Sequence, residues 1–149
     1  MERLVERNLP SGSFRQCILD DMNVLPFWSV AFYTECELQE QGKQLDYHLE
    51  KTPQVIDRHY FWEVNGRPVS MCNCREVSSD CLNVSGVYTP PTERGKRYAY
   101  AVVWSLWNKF KDKYADIMLY ANANYPQSNK CYQRIGFKPL FVNSQYVFE

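Results

Sequence analysis

The chain carries no net charge, no long apolar run and only two histidines. Seventeen Lys and Arg balance seventeen Asp and Glu over 149 residues, so nothing at the level of the whole molecule favours a polyanion, and no nucleic-acid partner is expected. The longest apolar run, Tyr98 to Trp107, is interrupted by Ser105 and falls far short of the roughly 20 residues that a spanning helix needs. No membrane partner is expected. Met1-Glu2-Arg3-Leu4-Val5-Glu6-Arg7 interleaves charged and apolar side chains and lacks the apolar centre of a secretory signal, so secretion is not expected either. The patterns G-x-x-x-x-G-K-[ST] and G-x-G-x-x-G are both missing, which weakens a nucleotide-binding reading. There is no repeat, low-complexity tract or interdomain linker.

Paired C-x-x-C units are missing too. The six cysteines stand at positions 17, 36, 72, 74, 81 and 131, an even count that in a small secreted protein suggests a disulfide framework. Cys72 and Cys74 share a face of a strand-like segment with Cys81 nearby, but no neighbouring histidine completes a tetrahedral zinc site. Free thiols, no metal and a cytoplasmic location are therefore the expectation.

What the chain does have is core material. Hydrophobic residues make up 45% of it and aromatics 15%, enough for one globular domain over residues 1–149 that buries roughly two thirds of its unfolded surface. Phe14 to Leu19 reads as a short strand. Asp20 or Asp21 is placed to cap a helix through Val24, Phe27, Trp28, Ala31 and Phe32. A polar stretch, Glu35 to Lys43, leads to a helical segment over about Leu45 to Asp57, with Thr52-Pro53 marking a kink or new start. Tyr60 to Val64 and Val69 to Cys72 flank Asn65-Gly66, the dipeptide that most strongly signals a hairpin. Leu82 to Tyr88 reads as a strand. Ala99, Val102, Val103, Leu106 and Phe110 recur at helical spacing and define a helix face turned to a sheet. Ile117 to Ala121 reads as a buried strand, and Pro126 to Gly136 as a short helix ending at a glycine. Leu140-Phe141-Val142 and Tyr146-Val147-Phe148 read as a closing hairpin or edge strands. The fold class is α/β (α+β), a mixed sheet with helices on both faces.

The turn from Leu82–Tyr88 into the next helix is suited to phosphate. Free N–H groups at a helix N-terminus carry the positive end of the helix dipole, and Arg94, Lys96 and Arg97 add three cationic side chains. The ordered series Tyr88-Thr89-Pro90-Pro91, Arg94-Gly95-Lys96-Arg97-Tyr98-Ala99, an amphipathic helix, a strand, and Asn129-Lys130-Cys131-Tyr132-Gln133-Arg134-Ile135-Gly136-Phe137 resembles the acetyl-CoA-binding core of the GNAT (general N-acetyltransferase) superfamily. The resemblance covers about a third of the chain strongly and, through the hairpin with Trp62 and Val69-Ser70-Met71, extends to roughly residues 58 to 149. Arg97 stands where the family loop usually has glycine, and Tyr125 where related sequences usually have asparagine before the proline.

The resemblance implies a twisted, mostly antiparallel sheet whose fourth and fifth strands splay to admit the pantetheine arm, and acetyl-CoA as acyl donor. It places Arg94, Gly95, Lys96, Arg97, Tyr98 and Ala99 at the diphosphate, the backbone of Val87, Tyr88 and Thr89 at the pantetheine and thioester, Asn129 against the cofactor, and Tyr132 as the acid that protonates the leaving thiolate. The implied activity is transfer of acetyl to a primary amine by direct attack in a ternary complex. The alternative is an acyl-CoA-binding sensor or interaction module that has lost catalysis. Candidate bases are Glu35, Glu37, Glu63, Glu76 and Asp80, with His48 and His59 more readily read as structural. The tryptophans read as core. The acceptor pocket is expected from the N-terminal helices and the loops around Glu35 to Lys43, and the protein as a monomer or a homodimer joined through its C-terminal strands.

Overall fold

Alternation of apolar and polar residues on either side of Asn65-Gly66 sets a long hairpin, and both turn residues take the left-handed backbone such a turn requires, with φ of 52° and 73°. In the computed structural model, which describes residues 8–143, this hairpin is β2 (His59–Val64) and β3 (Arg67–Ser78). With β1 (Ser13–Gln16), β4 (Cys81–Tyr88) and β5 (Asp116–Leu119) they form one sheet in the order β1-β2-β3-β4-β5. All pairings are antiparallel except β4 with β5, which is parallel. The crossover between those two strands is α3 (Tyr98–Phe110), and the helices are completed by α1 (Leu25–Glu35), α2 (Leu45–Lys51) and α4 (Pro126–Ile135).

Strand alternation sends side chains to two cores. Tyr60, Trp62, Val69, Cys72, Leu82 and Val84 face α3, whose Val102, Val103 and Leu106 are fully buried against them. Phe61, Met71 and Tyr88 face the other way and meet Leu25, Trp28 and Phe32 of α1. Helices thus cover both faces of the sheet, as expected for the fold class.

Several local expectations are corrected. β1 stops at Gln16, and the following turn, Leu19–Asn23, is a 3-10 helix. Asp21 does not cap α1, which starts at Leu25 with Pro26 in its first turn. Its carboxylate instead accepts from the Ile18 N–H at 2.8 Å and from both Arg15 guanidinium nitrogens at 2.7 and 2.8 Å, while Arg15 Nε donates to Glu63. This buried cluster staples β1 to β2. The segment expected to be helical to Asp57 is α only to Lys51, and a 3-10 segment, Thr52–Arg58, starts at Thr52-Pro53, where a kink or new start was expected. β5 is half-buried rather than buried, as befits an edge strand. Leu140 to Val142 form no strand and are exposed; Tyr146-Val147-Phe148 lie outside the described residues. The six cysteines are free thiols, and every one has its pKa raised, chiefly by burial.

Candidate active site

The fourth and fifth strands part at a defined place. β5 pairs with Cys81 to Val84 of β4 and ends opposite Val84 at Leu119, so the β4 edge from Ser85 to Tyr88 has no β5 partner. A bulge explains the divergence. Asn73 pairs with Ser85 and Met71 with Tyr88, so Gly86 and Val87 together oppose the single residue Cys72. Gly86 takes the left-handed conformation, φ 59°, that the first residue of such a bulge requires, and a Cβ there would collide with the Asn73 amide. A bulge adds local twist, which turns the end of β4 away from β5. An isolated glycine inside a strand pattern was the signal for it in the sequence.

Beyond the bulge, the backbone of Val87, Tyr88 and Thr89 borders the opening. Two of its carbonyls already accept hydrogen bonds: Tyr88 O from Ser70 Oγ at 3.2 Å and Thr89 O from Arg94 Nε at 2.8 Å. The Tyr88 ring turns to the α1 face, against Trp28.

The basic turn is less cationic than its composition implies. Arg94 Nη2 pairs with Glu35 at the end of α1 at 2.6 Å, and its guanidinium lies over the Tyr88 ring. Lys96 Nζ pairs with Glu93 at 2.9 Å, and Glu93 also holds Arg67 at 2.8 Å. These two cations hold the Glu93 carboxyl below its ordinary pKa, the Lys96 hydrogen bond most of all. Glu93 was not singled out from sequence: Lys96 lies only three residues on, but the second cation, Arg67, is remote in the chain, and the pairing that buries Glu93 between them is set by the fold. Only Arg97 of the three basic residues lacks a carboxylate partner among the described residues. It donates to Asn8 O at 3.0 Å and lies over the Tyr100 ring at 4.8 Å. Gly95, Tyr98 and Ala99 complete the turn, with Gly95 at φ 79° and open space where a Cβ would be.

Arg97, which stands where the family loop usually has glycine, is the N-cap of α3 with φ 67° and ψ 20°, a left-handed backbone. The glycine usual at this position therefore serves the left-handed backbone as well as close approach. No side chain caps α3, and its first N–H groups remain open on the side of the turn.

α4 brings Tyr132 to the same region. Its hydroxyl makes no hydrogen bond among the described residues. Burial pushes its pKa well above the ordinary phenol value, with smaller contributions from Cys131, Cys36 and Cys72, so it stays protonated at neutral pH. Its ring packs against the α3-side core, 6.3 Å from the Phe137 ring. Asn129 holds the preceding loop: its Nδ2 donates to Asn122 O at 2.9 Å and Tyr125 O at 3.1 Å. Only its Oδ1 is left for another partner.

On the α1 face a cleft of about 360 Å³ lies between α1, α2, the 3-10 segment Thr52–Arg58 and the middle of β3 and β4. Tyr33, His48, His59, Arg58, Arg75, Asn83 and Ser85 are among its walls. The N-terminal helices α1 and α2 contribute to it, and no residue from Glu35 to Lys43 lines it. Of the candidate bases, Glu35 is tied to Arg94, Glu63 to Arg15, and Glu76 accepts from Tyr114 at 2.5 Å. His48 Nε2–H donates to Gly42 O at 2.7 Å and His59 Nδ1–H to Val55 O at 3.0 Å. These bonds fit the structural role expected of both histidines, and burial lowers the His59 pKa. Among the described residues, no group of three His, Cys, Asp or Glu is placed to hold a metal ion, and no helix is long and apolar enough to cross a membrane.

A mixed sheet with its fourth strand bulged away from a parallel fifth, beside an uncapped helix N-terminus, defines an acyl-CoA N-acyltransferase fold. A family model described as the acetyltransferase (GNAT) family matches residues 22–137, and the chain belongs to that family. It is accordingly an acetyltransferase that takes its acetyl group from acetyl-CoA. An aminoglycoside N-acetyltransferase in complex with CoA has a similar fold, with a TM-score of 0.75 at 14% identity, covering 97% of this chain and 99% of that one. So does a GCN5-related N-acetyltransferase from Ralstonia eutropha, at TM-score 0.68 and 16% identity over 91% of this chain and 97% of that one. A predicted acetyltransferase with acetyl-CoA from Clostridium acetobutylicum reaches 0.65 at 15% identity, over 89% and 95%. Sequence comparison with curated proteins finds no match.

Proposed function

We propose that the protein transfers acetyl from acetyl-CoA directly to a primary amine while both substrates are bound. The observations that carry this are the end of β4 left unpaired by β5, the N-terminus of α3 without a side-chain cap, and on α4 a buried phenol at Tyr132 with no hydrogen bond among the described residues. In this reading the diphosphate lies against the N–H groups of the turn from Gly95 to Ala99, with Arg97 swinging onto it. The pantetheine amides take the free positions at Val87, Tyr88 and Thr89, and Asn129 Oδ1 accepts from the cofactor.

A neutral amine attacks the thioester carbonyl, and a β4 N–H stabilises the oxyanion. The C–N bond forms, the C–S bond breaks, and Tyr132 donates its proton to the leaving sulfur. The nitrogen gives up its extra proton, which restores the phenol through solvent. Counting from the ammonium form of the acceptor, one proton is released per turnover. A cysteine acyl-enzyme is disfavoured, because burial raises all six thiol pKa values and a thiol, unlike a thiolate, is a poor nucleophile.

Tyr132→Phe tests the assignment. The expected result is a loss of roughly a hundredfold in kcat, read by thiol release, with acetyl-CoA affinity kept in calorimetric titration. Unchanged turnover would remove Tyr132 from the acid role. A wild-type protein that binds acetyl-CoA but acetylates no amine would favour the binding-module alternative.

A further inference from the structure

We infer that the acceptor is a small amine that also carries an anionic group, and that Arg58 and Arg75 hold that group in the cleft on the α1 face. The inference rests on the acetyl-transfer reading and specifies its second substrate. At about 360 Å³ the cleft falls at the small end of ligand pockets, roughly 300–1,000 Å³, so it suits a metabolite-sized acceptor.

Its charge is one-sided. Lys51, Arg58 and Arg75 line it, and among the described residues no Asp or Glu does. Lys51 is paired with Glu50 at 2.8 Å, whereas Arg58 and Arg75 have neither an ion pair nor a side-chain hydrogen bond among the described residues. Two guanidiniums without ion-pair partners, Arg58 from the 3-10 segment and Arg75 from β3, with the Asp57 carboxylate near but outside the lining, are matched to a carboxylate or phosphate, whose oxygens a guanidinium engages two at a time. A polycationic acceptor would meet like charge there.

The remaining polar atoms suit a donor group borne close to the anion, apart from the reacting amine. Asn83 Oδ1 is buried without a hydrogen-bond partner among the described residues, and burial, which lowers the His59 pKa, favours a neutral ring whose nitrogen not used by Val55 O accepts. Acceptors of this kind receive N–H groups. Asn83 pairs with Arg75 across β3 and β4, so cation and acceptor lie side by side. From Asn83 to Val87, where the thioester is placed, is about 13 Å along the strand at ~3.3 Å per residue. The amine must therefore stand on a chain away from the anion, a gap that the flexible arginine stems shorten.

The test is a matched pair of acceptors, ε-aminocaproate and its carboxamide, alike in amine and length but different in charge. The corresponding aminoalkyl phosphate and a polycationic aminoglycoside complete the panel. The expected result is at least tenfold higher kcat/KM for the carboxylate than for the carboxamide, a ratio that falls to about one in Arg58→Ala/Arg75→Ala. A higher rate for the phosphate would identify that anion as the source; a rate for the carboxamide or aminoglycoside equal to or above the anionic acceptors would overturn the inference. Binding is read separately, by titrating N-acetyl-ε-aminocaproate and its carboxamide into the protein. Loss of the carboxylate preference there also overturns it, whatever the turnover. Failure of acetyl-CoA to bind would instead sink the acetyl-transfer reading, and the titration would still decide the cleft.

Discussion

Replacing Arg97 with glycine separates the two demands on the phosphate turn. A non-glycine residue in the left-handed region costs about 1–2 kcal/mol, which glycine would relieve. Against this, the variant loses the bond to Asn8 O and the contact with Tyr100, each about 0.5–1 kcal/mol for exposed groups. It also adds roughly 0.5–1 kcal/mol of unfolded-chain entropy. The terms nearly cancel, so stability should change by no more than about 1 kcal/mol and Tm by about 2–4 °C. Affinity should respond differently, because Arg97 is the one basic side chain of the turn without a carboxylate partner among the described residues. A charge-assisted contact to the diphosphate contributes about 1.5–3 kcal/mol, less about 1 kcal/mol for contacts given up as the side chain swings over. A net of about 1 kcal/mol predicts acetyl-CoA binding roughly fivefold weaker in Arg97→Gly. Calorimetric titration at about 0.05 M and 0.5 M salt checks this, and screening should narrow the gap at the higher value. Tighter binding by the glycine variant at low salt would refute the reasoning and show that close backbone approach outweighs the charge.

Other perturbations have equally direct readouts. Gly86→Ala places a Cβ against the Asn73 amide in a left-handed position, so thermal unfolding should reveal a loss of about 1–2 kcal/mol together with weaker acetyl-CoA binding, as the bulge sets the splay. Asp21→Asn removes a charge-assisted pair with Arg15 and should cost about 2 kcal/mol in chemical denaturation. The Arg15 hydrogen bond holds the Asp21 carboxyl below its ordinary pKa, so its contribution is full above the unfolded value of about 3.9 and is lost as pH falls through the folded one. Acid unfolding of the wild type below about pH 4 should show this component, and Asp21→Asn should lack it. Because burial keeps Tyr132 protonated, the alkaline limb of the pH-rate profile should belong to another group, with its midpoint unmoved when the acceptor is changed for one of equal amine pKa.

Local features of the fold were legible because short-range physics sets them. Asn65-Gly66 specified the hairpin turn, the spacing from Ala99 to Phe110 specified the buried face of α3, and Gly136 ended α4 with φ 118°. The order of the Arg94 to Ala99 turn and the Asn129 to Phe137 helix was enough to name the family. Tertiary structure decided the rest, since it depends on partners distant in the chain. Pairing across β3 and β4 made Gly86 a bulge and opened the strand edge. Glu35 and Glu93, remote from or unremarkable beside the turn, removed two of its three charges from play and left Arg97 alone. Arg58 and Arg75 stand 17 residues apart in sequence, and only the packing of the Thr52–Arg58 segment over β3 sets them in one cleft. Backbone preference and side-chain period act within a few residues and can be read along the chain, whereas the electrostatics of a site are summed over whatever the fold brings together.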